Sequence, residues 1–272
     1  MDLEISGKNA LITGGSSGIG LGIATVLAKE GVNLAIASRN PDPEAIEALR
    51  AHGTRVEPIR ADVSKEEQAV GLVEESIDKL GSLDFYINNA AWAWHQAVTQ
   101  IDSESWFNTI NTNLSGAMWA SQTVAKHMIE RRKGSIVIIS STSKFTPGYT
   151  ETSYRVSKFG LTVLLQNLAL ELAPFGIRVN MVTPGHFVTR MTAWDRIDRE
   201  KTEQFRDRFI PLQRFGEPEE VGPSVAFLLS EKCAAYITGA DIVVAGGMQL
   251  SPVKLISDDE LRRLNEPDTQ TC

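Results

Sequence analysis

The sequence predicts an α/β protein, one parallel sheet with helices packed on both of its faces. Three observations predict it. Short apolar runs alternate with amphipathic stretches along nearly all of the 272 residues. A glycine-rich turn directly follows the first apolar run. No internal repeat, low-complexity segment or linker interrupts the alternation, and Pro41-Asp42-Pro43 reads only as a loop between a strand and a helix.

The elements follow in order. Residues 9–13 read as a strand and 19–30 as a helix; 34–38 is the next strand and 43–52 its helix. Strand 56–60 leads to helix 65–80, and strand 83–88 to a long helical region over 103–132. Its apolar face carries Trp106, Ile110, Leu114, Ala117, Val124 and Met128. Strand 135–140 precedes helix 153–173, strand 177–182 precedes helix 218–229, and 241–244 is a last short strand. Right-handed crossovers leave few topologies for this order, and the doubly wound Rossmann type leads them. Two segments stand outside the alternation, 190–211 and the tail after Pro252. We therefore expect one domain over 1–251, with 190–211 as its substrate loop and 252–272 as a C-terminal extension.

Bulk composition narrows the function. At 42% hydrophobic and 22% charged residues the chain is an ordinary globular one, and a formal charge of −7 argues against a nucleic-acid-binding face. The two cysteines, Cys233 and Cys272, form no disulfide framework and have no metal-ligand spacing, so no metal is expected. No leader pattern opens the chain, and no apolar run reaches the ~18 residues of a membrane span. The expected setting is cytoplasmic and reducing, with no membrane partner.

The turn after the first strand is Thr13-Gly14-Gly15-Ser16-Ser17-Gly18-Ile19-Gly20. Glycines let the backbone approach a pyrophosphate, and the helix that follows offers free N–H groups and the positive end of its dipole. Gly14, Ser16, Ser17, Gly18, Ile19 and Gly20 are the candidate contacts. A dinucleotide site that prefers NAD usually has an acid at the end of the second strand. Here Ser38 and Arg39 stand there, and a guanidinium suits a 2′-phosphate. The expected cofactor is NADP(H), with NAD(H) as the alternative; Asp42 lies close enough to complicate the choice. Asp62 and Val63 should border the adenine, and Asn88-Asn89-Ala90 closes the fourth strand at the same edge.

Tyr154 and Lys158 are four residues apart on one helix and share a face. A free phenol with a pKa near ~10 is a poor base at neutral pH, and a neighbouring ammonium is expected to lower it. Ser141 precedes Tyr154 by 13 residues, near enough for the loop to bring its hydroxyl to the phenol. The competing reading for Ser140 and Ser141 is local capping of the strand end. Asn113 falls on the apolar face of the long helical region. It is read as a structural amide bonded to backbone and as a kink that binds a water linking Lys158 to solvent, two readings compatible with each other.

Together these residues resemble the short-chain dehydrogenase/reductase family in its compact branch of about 250 residues. T-G-x-x-x-G-x-G at 13–20, N-N-A at 88–90, N-L-S-G at 113–116, Ser141 and Tyr154 to Lys158 carry the likeness, with Pro184-Gly185 followed by Thr189. Pro211 to Gly216 and Ile237-Thr238-Gly239 with Gly246-Gly247 extend it to the end of the domain. The resemblance implies a sheet in the order 3-2-1-4-5-6-7 and a catalytic set of Asn113, Ser141, Tyr154 and Lys158. It implies that Lys158 also holds the nicotinamide ribose, that Asn89 and Ala90 border the cofactor, and that Pro184, Gly185, Phe187 and Thr189 frame its carboxamide. It further implies a homotetramer with the helices near 103–132 and 153–173 at one interface. Ala91 departs from the usual glycine after Asn-Asn-Ala.

The activity expected is hydride exchange between a secondary alcohol and a ketone or aldehyde. The alternatives are an NAD-dependent sugar, polyol or alcohol dehydrogenase and a catalytically silent cofactor sensor. Trp92, Trp94, His95, Ser143, Lys144, Tyr149, His186, Phe187, Trp194 and Arg196 are expected to line the substrate space, which leaves a sugar or polyol and a hydrophobic cyclic ketone both open.

Overall fold

A computed structural model describes residues 2–145, 148–189 and 199–250 of the chain. Its seven strands form one all-parallel sheet in the order β3-β2-β1-β4-β5-β6-β7. They are β1 (Asn9–Thr13), β2 (Asn33–Ser38), β3 (Val56–Arg60), β4 (Phe85–Asn88), β5 (Gly134–Ile139), β6 (Ile177–Pro184) and β7 (Asp241–Val244). The helices are α1 (Gly18–Lys29), α2 (Pro43–Arg50), α3 (Glu66–Leu80), α4 (Ser103–Ile110), α5 (Gly116–Arg131), α6 (Thr152–Leu172), α7 (Arg199–Phe209), α8 (Gly222–Leu229) and α9 (Glu231–Ala234).

Alternate residues of a strand point to opposite faces, and both faces here are covered. Ile12 and Ile36 pack with Ile23 and Leu27 of α1 and Val225 of α8. Leu11 and Ala35, their chain neighbours, pack on the other face with Val73 of α3, Val124 of α5 and Leu161 of α6. This is why the strands read as unbroken apolar runs. Among the described residues no helix is long and apolar enough to cross a membrane.

The structure moves several expected boundaries, each for a local reason. β4 begins two residues late because the Leu83 N–H donates to the His127 ring at 3.2 Å instead of entering the ladder. The expected helix over 103–132 is broken by a π-helical turn, Asn111–Ser115, between α4 and α5. Helix 218–229 starts as a 3₁₀ turn, Pro218–Val221, before α8. Segment 190–211 contains α7, and α9 was not anticipated; Ser230 caps it by accepting from the Cys233 N–H. The extension 252–272 lies outside the described residues.

Glycine sets how closely the layers meet. A Cβ on Gly22 of α1 would lie 2.3 Å from the Pro218 carbonyl carbon, where α1 crosses the turn leading to α8. A Cβ on Gly71 of α3 would meet nothing within 4 Å. Gly71→Ala is expected to stabilise the fold by about 0.8–1 kcal/mol through helix propensity alone. Gly22→Ala gains the same propensity but must push backbone apart, which costs about 1–3 kcal/mol and should leave it net destabilised. Urea denaturation midpoints moving in opposite directions would bear this out; a shared direction would refute it.

Candidate active site

Strand order reverses between β1 and β4, and the crevice outside their carboxyl ends is where open α/β sheets bind ligands. Asn89 locks this point. Its N–H donates to Thr13 Oγ1 at 3.0 Å, and its Nδ2 donates to the Thr13 and Gly14 carbonyls at 2.9 and 3.2 Å. The Ala90 N–H donates to the same Thr13 hydroxyl. Asn89 therefore works as a clamp that shapes the glycine turn.

The turn itself is left-handed at Gly14 and Gly18, with φ of +67° and +52°. A Cβ on Gly20 would lie 2.1 Å from the Gly14 carbonyl oxygen, so loop and helix close only with glycine. Ser17 is the N-cap of α1 but makes no side-chain cap bond. The first turn of α1 thus keeps donors for an anion, and the turn fits a dinucleotide pyrophosphate. Ser16 is tucked beneath, its hydroxyl donating to Ser38 Oγ at 3.1 Å, which ties the turn to the end of β2.

A cleft of about 190 Å³ runs from this turn to α6. Gly14, Ser17, Gly18, Ile19, Gly20, Asn89, Ala90, Tyr154, Lys158 and Thr189 all line it. A second space of about 250 Å³ adjoins it through Ile19, Tyr154 and Thr189, and takes in Ser141, Pro184, Gly185 and Phe187. Phe187 is buried at 3% exposure with its ring against Gly216, so it serves the core as much as the cleft. At the far end, Arg39 and Asp62 border a hollow of about 350 Å³ with Arg60 and Gln68. Val63, the next residue, is buried and does not line this hollow; its carbonyl leaves room for no Cβ on Gly116 of α5. A larger hollow of about 510 Å³ opens at the opposite edge of the sheet. Arg178 there donates to the Leu228, Leu229, Ser230 and Ile237 carbonyls, a structural seam rather than a receptor.

Tyr154 and Lys158 face each other one turn apart on α6, with Nζ 5.8 Å from the ring centroid. Nζ donates to the Ile139 carbonyl at 3.0 Å, anchoring Lys158 to the end of β5. Burial pushes the Tyr154 phenol up to about 12; a hydrogen bond with Ser141 works against this, and the Glu151 charge adds to it. Burial also brings Lys158 down to about 8, helped by the like charge of Lys144. This corrects the expectation that the ammonium leaves the phenol with a lowered pKa. Removing both groups from water penalises both charged forms, and in the protein alone that effect is the largest.

Ser141 sits just past β5 as the cap of a 3₁₀ turn, Thr142–Lys144. Its Oγ accepts from the Ser143 N–H at 3.2 Å and also reaches the Tyr154 phenol. The capping reading and the site reading thus hold together. The Ser140 hydroxyl is turned to the Lys158 carbonyl.

Asn113 is 1% exposed inside the π-helical turn. Its Oδ1 accepts from the Trp92 N–H at 2.7 Å, and its Nδ2 donates to the Trp92 carbonyl and to Ser157 Oγ, both at 2.9 Å. Ser157 in turn donates to the Tyr154 carbonyl at 2.6 Å. The structural-amide reading is seen, within a helix that is interrupted there: the side chain clamps the loop after β4 to α6.

Two expected substrate contacts lie elsewhere. Lys144 is buried in an ion pair with Asp241 of β7 at 2.5 Å, and Asp241 also accepts from Thr183. Tyr149 is 98% exposed. His95, Ser143 and His186 do line the space of about 250 Å³. His186 is held down to about 4 by burial and packs edge-on to Phe205 with centroids 4.8 Å apart. Trp92 and Trp94 stack on each other, and Arg39 lies 5.5 Å over the Trp92 ring. Trp194 and Arg196 lie outside the described residues.

Sequence reasoning missed Arg60 and Glu151. Arg60 pairs in register with Ser38, so a basic residue ending β3 beside Ser38-Arg39 was a readable signal. Glu151 stands where a helix cap is expected, and only the fold shows it lining the cleft.

Comparison with known proteins agrees with this geometry. A family profile described as enoyl-(acyl carrier protein) reductase matches residues 14–249. Glucose 1-dehydrogenase 2 of Bacillus subtilis is 34% identical over 258 residues, covering 93% of this chain and 98% of that one. The structure of a short-chain type dehydrogenase/reductase from Mycobacterium marinum superposes with a TM-score of 0.84 at 32% identity, covering 90% of this chain and 97% of the other. That of 3-oxoacyl-[acyl-carrier protein] reductase from Brucella melitensis in complex with NAD gives a TM-score of 0.84 at 33% identity, covering 90% and 98%.

Proposed function

The chain belongs to the short-chain dehydrogenase/reductase family, and from that premise we propose that it is an NADP(H)-dependent oxidoreductase interconverting a secondary alcohol with a ketone or aldehyde. Its relatives are named dehydrogenases and reductases, and the chain is an oxidoreductase acting on CH–OH donors. One observation carries the mechanistic reading: Tyr154 and Lys158 line the same cleft as the glycine turn Gly14 to Gly20.

The bound nicotinamide cofactor supplies or accepts the hydride. Gly14, Ser17, Gly18, Ile19 and Gly20 hold its pyrophosphate, while Asn89 and Ala90 border it. Pro184, Gly185, Phe187 and Thr189 frame the carboxamide, and Asp62 and Val63 the adenine. Ser141 hydrogen-bonds the substrate oxygen and holds it beside the Tyr154 hydroxyl. Tyr154 gives that oxygen a proton in reduction and takes one in oxidation. Lys158 places a positive charge beside the phenol, which favours its anionic form at the moment of proton loss, and it holds the ribose. Asn113 acts by fixing the Trp92 loop against α6.

The NADP(H) preference rests on Ser38, Arg39 and Ser16 at the end of β2. Asp42 does not compete for the ribose, because its carboxylate is committed to capping α2 through the Glu44 N–H at 3.0 Å. The second reading, NAD(H), is favoured by Arg39 resting on the Trp92 ring. Residues 1–251 are read as one domain, with 252–272 as an extension. A homotetramer is proposed on the exposed apolar side chains of Phe107, Val156, Phe159 and Val163 along α4 and α6.

Tyr154→Phe is expected to lower kcat by about 100–10,000-fold and to leave NADPH binding unchanged; retained turnover would sink the proton-transfer assignment. Arg39→Glu should lower the ratio of NADPH to NADH affinity by about 10–100-fold. An unchanged ratio favours NAD(H). Carbonyl reduction should fall above about pH 8, where Lys158 loses its charge. Lys144→Met with Asp241→Asn removes a like charge near Lys158 without stranding a carboxylate. Lys158 then keeps its proton to higher pH, so the alkaline fall should move up; a fall that stays fixed or moves down contradicts it.

A further inference from the structure

We infer that the substrate is a neutral polyhydroxylated molecule, a sugar or a polyol, and that Glu151 selects it by accepting hydrogen bonds from its hydroxyls. This deepens the reaction proposed above and rests on it.

Glu151 is the N-cap residue of α6, three residues before Tyr154, and it lines the space of about 250 Å³ beside that tyrosine. A carboxylate at a helix start ordinarily caps the helix. Asp42 and Asp102 do so here, accepting from the Glu44 and Ser105 N–H groups. The Glu151 side chain makes no cap bond. It forms no ion pair among the described residues either, although its neighbour Arg155 is on the same turn. Gly148 leaves it room: a Cβ there would stand 2.6 Å from Glu151 Oε2. A half-buried carboxylate without a side-chain partner among the described residues is a strong acceptor held ready for donors from the ligand. Its charge is felt at the phenol of Tyr154, which it helps to raise.

The rest of the wall discriminates between substrate classes. No lysine or arginine is among the described lining residues. A substrate carboxylate or phosphate would face Glu151 with no counter-charge among the described lining residues, and repulsion at a few ångströms disfavours it by on the order of 100-fold. An apolar ketone would satisfy Ser141 through its one oxygen but bury Glu151 and the Ser143 hydroxyl without giving them partners, the kind of mismatch that rejects ligands most strongly. A cation would satisfy Glu151 alone. The other polar groups come from three further segments: His95 after β4, Ser143 after β5 and His186 after β6. Such a ring of donors and acceptors suits several hydroxyls, not one point charge.

The test uses the full chain with NADP⁺ and NAD⁺ and measures kcat and KM separately. The probes are glucose, xylitol and other neutral sugars and polyols, gluconate as an anion, cyclohexanol as an apolar alcohol, and an amino alcohol as a cation. A neutral sugar or polyol is expected to show kcat/KM at least tenfold above the other classes. Glu151→Ala should raise KM for that substrate at least tenfold with kcat changed less than threefold, and should lower KM for cyclohexanol. Glu151→Gln, which keeps one acceptor oxygen and the shape, should recover part of the affinity. Preference of the unaltered protein for gluconate, cyclohexanol or the amino alcohol overturns the inference, as does an unchanged KM for the preferred sugar in Glu151→Ala. If cyclohexanol is turned over best and Tyr154→Phe abolishes that turnover, the reaction reading stands and only the substrate class falls. If no alcohol or carbonyl is turned over, both fall.

Discussion

The site depends on one close approach of backbone to backbone. The first turn of α1 meets the carbonyl of Gly14 so closely that Gly20 can carry no side chain, and Asn89 reaches across from the end of β4 to hold that carbonyl. Without that contact the strand-order switch would not present a row of N–H groups to the crevice. The remaining geometry is hung from it. Ser16 ties the turn to the end of β2, and Thr13 to the loop after β4. From there Asn113 carries the linkage to α6 through Trp92 and Ser157. Tyr154 is thus connected to the glycine turn by a short series of hydrogen bonds and the chain from Ala90 to Trp92.

Burial then sets the electrostatics of the pair on α6. A phenol and an ammonium taken from water both lose their preference for the charged state, so Tyr154 rises and Lys158 falls. The protein by itself holds a protonated phenol, suited to donate. Lys144 belongs to this arrangement although it touches neither residue. Its ion pair with Asp241 pins the turn that carries Ser141 to the last strand, and its charge is sensed at Lys158.

Much of this was legible in the sequence because it is local or periodic. The glycine turn, the apolar strands and the spacing of Tyr154 and Lys158 follow from short-range rules of backbone freedom and side-chain direction. The π-helical turn was visible only as a buried polar residue on an apolar face. Asn113 announced that something interrupts the helix, yet its partners, Trp92 and Ser157, lie 21 and 44 residues away. Lys144 and Tyr149 show the opposite failure. Both sit between Ser141 and Tyr154, and sequence proximity alone suggested the wall; one is spent on β7 and the other faces solvent.

The sequence by itself determined the parallel α/β architecture, the place of the phosphate-binding turn and the identity of the Ser141, Tyr154 and Lys158 cluster. Each is dictated by patterns within a few turns of chain. Only the tertiary structure decided what surrounds them: that burial, rather than the ammonium, governs the phenol, that Arg60 stands beside Ser38 and that Glu151 lines the cleft. Those outcomes turn on desolvation and on which partner a charged side chain finds. Both are set by residues far apart in the chain that meet only once the sheet has assembled.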